Sequence, residues 1–158
     1  MLISFVVPCY KSAKTIEKVV SDINALVKTR KGYEAEIILV NDKSPDNTWE
    51  VITDLVKKNK NIVGIDLAKN SGQQCALMAG FKQAKGEIIL ASDDDGQTPV
   101  DTAYSLIDKL IDENFDVVCA KYVDRGKRSL FRRIGTWADR KMVKVFLEKP
   151  DEFTTSIY

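Results

Sequence analysis

Short β-branched runs alternate along the chain with stretches of helical period, and this alternation constrains the fold more than any other feature. LISFVV (2–7), EIILVN (36–41), IVGIDL (62–67), EIILAS (87–92) and FDVVCA (115–120) are near-continuous apolar runs, which read as parallel strands buried on both faces. Between the first two, Ile16, Val19, Val20, Ile23, Leu26 and Val27 recur on one helical face, with Ser12 placed to cap its start. Ser44-Pro45 offers a cap followed by proline at a first helical position, ahead of Trp49, Ile52, Leu55 and Val56. A third helix is expected from about Gln73 to Ala84, where Ala76, Ala79 and Gly80 permit close packing. A fourth is expected after Pro99, with Ala103, Leu106, Ile107, Leu110 and Ile111 facing inward. The order βαβαβαβαβ predicts an open, mostly parallel α/β sheet with helices on both faces.

A chain of 158 residues is long enough for one domain with a sizeable core. Its 24 basic and 23 acidic residues leave a formal charge of +1, which excludes a nucleic-acid footprint of the bulk-charge kind. Histidine is missing from the sequence, so any acid–base chemistry falls to carboxylates. Cys9, Cys75 and Cys119 are an odd number without C-x-x-C spacing, each in or beside an apolar segment, and predict buried thiols in a reducing compartment. The apolar run at 3–7 is cut short by Pro8 and has no basic flank, the pattern of a strand and not of a signal peptide.

In an open parallel sheet, ligands bind beyond the carboxyl ends of the strands. There the sequence places Val7-Pro8-Cys9-Tyr10, Asn41-Asp42-Lys43-Ser44, Lys69-Asn70-Ser71-Gly72 and Asp93-Asp94-Asp95-Gly96-Gln97. Three adjacent carboxylates repel one another, so a cation or strong donors must offset them. One reading is a solvated turn in which Asp93 to Asp95 cap the next helix. The other is a metal–diphosphate site: Asp93 and Asp95 share one side of an extended segment, and Gln97 adds an oxygen, a hard donor set suited to Mg²⁺ or Mn²⁺.

VVPCYKSAKTI, VNDKSPDNTWE and NSGQQCALMAGFKQAKGEIILASDDDGQTP resemble, in order, the motifs of family 2 of the inverting glycosyltransferases. They are most similar to the branch of dolichol-phosphate mannose synthases and polyprenyl-phosphate glycosyltransferases. The likeness runs from about Val6 to Phe153. It implies a Rossmann-like nucleotide-sugar-binding fold of glycosyltransferase type A. It also implies that Pro8 and Tyr10 sit at the nucleotide, that Asp42 contacts base or ribose, and that Asp94 meets the nucleotide sugar. Asp93, Asp95 and Gln97 would surround the metal, with Asp95 stabilising the leaving group. The sequence departs from the family pattern at Lys11, where asparagine is frequent, and at Lys43, where glycine is usual. Many members place an acidic base beyond the point at which this sequence stops, so the general base is unassigned and a C-terminal continuation is expected.

On this reading residues 1–158 are one catalytic domain, with 1–98 the nucleotide half and 99–158 the start of an acceptor half. Within residues 125–149, Leu130, Ile134, Trp137, Met142, Val145 and Phe146 alternate with Arg132, Arg133, Arg140, Lys141 and Lys144, which predicts a basic amphipathic helix at about 128–147. Such a helix either packs on the sheet with solvated charges or lies on an anionic membrane surface. The resemblance implies that arginines here, Arg132 and Arg133, hold an acceptor phosphate. The expected activity is metal-dependent sugar transfer from a nucleotide diphosphate donor to a polyprenyl phosphate or a growing surface glycan, at the cytoplasmic face of the membrane, in cell-envelope polysaccharide synthesis. A homodimer is one expected assembly. The alternatives are a noncatalytic nucleotide-sugar-binding module and a transferase using a soluble hydroxyl acceptor. A phosphorelay receiver is set aside because Pro8-Cys9-Tyr10 stands where that fold needs an acidic pair.

Overall fold

Side chains along β1 (Leu2–Cys9) alternate between two apolar layers, and this alternation places the helices. In the computed structural model, which describes residues 1–95 and 102–120, Ile3, Phe5, Val7 and Cys9 enter one core cluster while Val6 enters another. β2 (Glu34–Asn41) does the same, with Ile37 and Leu39 on the first side and Ile38 and Val40 on the second. The first layer is filled by α1 (Ile16–Lys28), by Ile52 of α2 (Thr48–Lys58) and by Ala103 and Ile107 of α4 (Thr102–Asp112). The second is covered by α3 (Gln73–Gln83) through Ala76. All six apolar residues expected on the inner face of α1 are buried.

β3 (Ile62–Asp66) and β4 (Ile88–Ala91) complete a four-stranded parallel sheet in the order β3-β2-β1-β4. These elements belong to one compact unit, Met1–Val118. β1 and β2 are almost wholly buried, as expected, whereas β4 is short and leaves Ile89 45% exposed. Gly80 and Gly64 act as spacers between helix and sheet. A Cβ on Gly80 would run into the Val6 side chain, and one on Gly64 would stand 2.9 Å from Ile52 Cγ2.

Tyr33, Tyr104 and Arg30 fasten α4 to the corner between α1 and β2. Arg30 Nη1 and Nη2 reach the two Asp108 carboxylate oxygens at 2.5 and 3.1 Å. Its guanidinium lies 5.2 and 4.9 Å from the Tyr33 and Tyr104 ring centroids, and the Tyr104 hydroxyl donates to the Leu26 carbonyl at 3.1 Å. The planar cation thus makes a two-pronged ion pair and two ring contacts at once.

Several expectations are corrected. Residues 115–120 form no strand, and Phe115 and Val117 are 45% and 75% exposed; a β-branched run signals fit to a pleated, half-buried surface, and among the described residues no neighbouring strand supplies that surface. α2 starts at Thr48 and not beside Ser44-Pro45, because Asp46 receives both the Thr48 N–H and its hydroxyl and so opens the helix later. Ser12 does not cap α1, whose first residue is Ile16. Ile111 faces outward at 44% exposure, since the inward stripe of α4 narrows to Ala103 and Ile107. Cys9 is buried, but Cys75 and Cys119 are exposed; an apolar sequence neighbourhood does not bury a residue on the outer side of a helix or in the stretch that follows α4. Gln97, Arg132, Arg133 and the helix expected at 128–147 lie outside the described residues.

Candidate active site at the ends of β1 and β4

The sheet order reverses at β1. From it the chain steps outward through β2 to β3, then returns across the opposite face through α3 to β4 on the other side of β1. The crevice of a doubly wound sheet opens at such a switch point. One feature of the sequence keeps it open here. Ser92 N–H donates to the Val6 carbonyl at 3.0 Å, and the next rung toward β4 would need an N–H from residue 8. Pro8 has none. The ladder between β1 and β4 therefore stops at Ser92, and the three aspartates leave the sheet.

Their exposure alternates: Asp93 and Asp95 are exposed and Asp94 is half-buried. Asp94 turns toward the loop after β1, where its Oδ2 accepts the Tyr10 N–H at 3.0 Å and the Ser12 hydroxyl. The carboxylate thus ties the end of β4 to the loop after β1. Asp93 and Asp95 stand on either side of it, on the solvent side of the segment. Among the described residues no group of three or more His, Cys, Asp or Glu side chains is arranged to hold a metal ion. A cation here would therefore rest on at most two carboxylates plus water, substrate phosphate or Gln97, which is the usual coordination of Mg²⁺ by oxygen ligands. The residues present fit such an ion.

Asp42 occupies the end of β2 and is 4% exposed. Its two carboxylate oxygens accept the Ser71 and Gly72 N–H groups at 2.7 and 2.8 Å, and its own N–H donates to the Cys9 carbonyl at 2.9 Å. One residue, by its backbone and its side chain, thereby joins the ends of β1 and β2 to the loop that leads into α3. Gly72 has φ 86° with open space where a Cβ would stand, so glycine is required there by conformation and not by crowding. Alongside, Asn41 Nδ2 donates to Asp66 Oδ1 at 2.7 Å, and Asn41 Oδ1 receives the Ser44 N–H at 3.1 Å.

Tyr10 is 46% exposed, and the Lys11 ammonium stands 5.4 Å from its ring centroid. The Lys11 N–H donates to Ser44 Oγ at 3.2 Å, linking the loops after β1 and β2. Lys11 and Lys43 both adopt left-handed backbone, with φ 59° and 52°. Cys9 is no nucleophile: burial pushes its thiol well above the ordinary cysteine range, and the negative charge of Asp94 pushes it further. Asp46 is held below the ordinary carboxylate range, chiefly by the Thr48 hydroxyl.

Of the residues anticipated from sequence, Pro8, Tyr10, Asp42, Asp93, Asp94 and Asp95 all come to the carboxyl ends of adjacent strands. Asn41, Ser71 and Gly72 were anticipated at the strand ends but not their partners, and Ser12 and Asp66 were not anticipated as parts of the site. Ser12 carries the same sequence mark whether it caps a helix or binds Asp94.

Residues 4–156 match the family described as glycosyl transferase family 2. The chain belongs to that family. Among family 2 relatives, it is 33% identical over 139 residues to the undecaprenyl-phosphate 4-deoxy-4-formamido-L-arabinose transferase of Pseudomonas fluorescens, covering 87% of this chain and 39% of that protein. It is 34% identical over 135 residues to the poly-beta-1,6-N-acetyl-D-glucosamine synthase of Staphylococcus aureus, covering 85% and 32%. The chain thus spans well under half the length of these relatives. Residues 1–349 of S. aureus TarS, solved in complex with UDP, superpose with a TM-score of 0.54 at 30% identity over 69% of this chain and 32% of that one. The mannosyltransferase PcManGT of Pyrobaculum calidifontis, solved with GDP-Man and Mn²⁺, shares the fold at TM-score 0.57 and 22% identity, over 68% and 32%.

Proposed function

We propose that this chain carries the donor site of a metal-dependent glycosyltransferase that moves a sugar from a nucleoside diphosphate to a polyprenyl phosphate or a growing surface glycan. The observation that carries the reading is the tie made by Asp94 at the switch point, which leaves Asp93 and Asp95 exposed at the mouth of the crevice. Family membership supports it, as do the UDP of one structural relative and the undecaprenyl phosphate and glycan named for two sequence relatives.

Each residue then has a task. Tyr10 and Asp42 flank the nucleoside, with Pro8 holding the crevice open beside them. Asp94 fixes the loop after β1 against the aspartate segment and meets the nucleotide sugar. Asp93 and Asp95, with Gln97, would hold Mg²⁺ or Mn²⁺, which as a Lewis acid stabilises the negative charge gathering on the departing diphosphate. Breaking the anomeric bond releases that diphosphate while the acceptor oxygen attacks the opposite face. A hydroxyl acceptor needs a base within hydrogen-bond reach, whereas a lipid phosphate is already ionised near neutral pH. The arginine-rich stretch at 125–149 favours the phosphate. Arg132 and Arg133 are the residues to receive it, at the inner face of a membrane.

Calorimetric titration of the chain with UDP and with GDP, with and without Mn²⁺, tests the reading. Affinity for one of them should rise at least tenfold with Mn²⁺, and Asp95→Ala should abolish that gain. An Asp95→Ala variant with the full metal-dependent gain would remove the aspartates from the donor site.

A further inference from the structure

Three non-glycine residues among those described have positive φ: Lys11, Lys43 and Asn114. Asn114 follows the last turn of α4, where the left-handed conformation commonly closes a helix and asparagine tolerates it. The two lysines close no helix. Each directly follows a residue at the end of a central strand, Tyr10 after β1 and Asp42 after β2, and their loops touch through the Lys11 N–H and Ser44 Oγ. Left-handed backbone is unfavourable for a lysine and easy for glycine or asparagine, so two strained lysines side by side at a strand-end crevice are a mark of function and not of folding.

We infer that Lys11 and Lys43 are diphosphate-binding residues of the donor site, whose ammonium groups bind the phosphates of the nucleoside diphosphate. The inference rests on the donor-site reading above and adds two cations to it. The backbone at position 11 is held on both sides by Asp94, through the Tyr10 N–H and the Ser12 hydroxyl. Lys11 therefore sits in a fixed loop beside the aspartate segment, its ammonium over the Tyr10 ring. Lys43 has an exposed side chain whose ammonium is 3.8 Å from Asp66 Oδ2, a loose contact that a phosphate with more charge can outcompete. Tyr10 and Asp66 thus hold the two cations at the crevice. Three aspartates make this rim acidic, and a diphosphate whose charge one divalent ion only partly cancels gains from added cations.

Glycine and methionine variants separate the backbone from the charge. Lys11→Met and Lys43→Met keep the length of the side chain and lose its charge; Lys11→Gly and Lys43→Gly also release the strained backbone. In titrations with Mn²⁺, each Met variant should bind UDP or GDP, whichever the parent prefers, about five- to tenfold more weakly, and the loss should shrink as salt is raised. Affinity for the corresponding nucleoside, uridine or guanosine, should not change. The Gly variants should show the same loss while melting at a higher temperature than the parent. Met variants that bind the diphosphate like the parent, or that lose nucleoside affinity equally, overturn the assignment. A parent that binds neither diphosphate overturns the donor-site reading itself, and the assignment with it.

Discussion

Asp42 holds the fold together at the crevice with a single carboxylate. Both of its oxygens are engaged by the Ser71 and Gly72 N–H groups within a buried pocket. Asp42→Ala would leave two backbone donors without an acceptor, at about 1–3 kcal/mol each, and should lower the urea midpoint clearly. Asp42→Asn keeps one acceptor oxygen and should fall between Ala and the parent. If Asp42 also touches the nucleoside, Asp42→Asn should weaken nucleoside binding without metal by more than its modest loss of stability explains. Unchanged binding by a folded Asn variant would confine Asp42 to holding the loop. From the sequence, Asp42 was legible as a strand-end acid beside a crevice. Its second task was not, because the Ser71 and Gly72 donors are 29 and 30 residues away and backbone N–H groups carry no sequence signature.

Elements with strong internal periodicity were legible almost residue by residue, as the six buried positions of α1 demonstrate. Starts and ends were not, since Asp46 binds Thr48 and opens α2 later than Ser44-Pro45 suggests, and Ser12 gives its hydroxyl to Asp94 instead of capping α1. Residues 115–120 failed for a different reason: a strand exists only with a partner, and pairing is a property of the sheet. Close approach of elements, by contrast, was readable from small residues, and Gly80 puts a number on it. Alanine in the interior of α3 would gain up to about 1 kcal/mol of helix propensity over glycine. Its Cβ would collide with the fully buried Val6, and overpacking of this kind costs about 1–3 kcal/mol. Gly80→Ala should therefore destabilise the chain despite the better helix former, as a fall in melting temperature. A rise would mean that α3 stands farther from β1.

At the scale of the whole chain, charge is divided unevenly along a nearly neutral sequence. Residues 1–120 carry 14 basic and 18 acidic side chains, and residues 121–158 carry ten and five. An acidic crevice suits a divalent ion, and a basic C-terminal stretch suits an anionic surface. At about 1 kcal/mol per basic residue near such a surface, three or four acting together should recruit the chain reversibly. Co-sedimentation should find it on vesicles containing anionic lipid at low salt and release it as salt is raised. Equal partition onto neutral and anionic vesicles, or none onto either, would return a soluble acceptor to first place. The position of β1 bears on the order of synthesis as well. Its β2 partner ends at Asn41, but its β4 partner ends at Ala91, so one edge of the central strand must wait for 50 further residues. At synthesis rates of about 5–20 residues per second, that is about 2.5–10 s. Throughout that interval the nascent chain holds an apolar strand with a free row of backbone donors and acceptors. The edge that later meets the aspartate segment is thus open to a chaperone, or to a neighbouring chain, before it is open to a nucleotide.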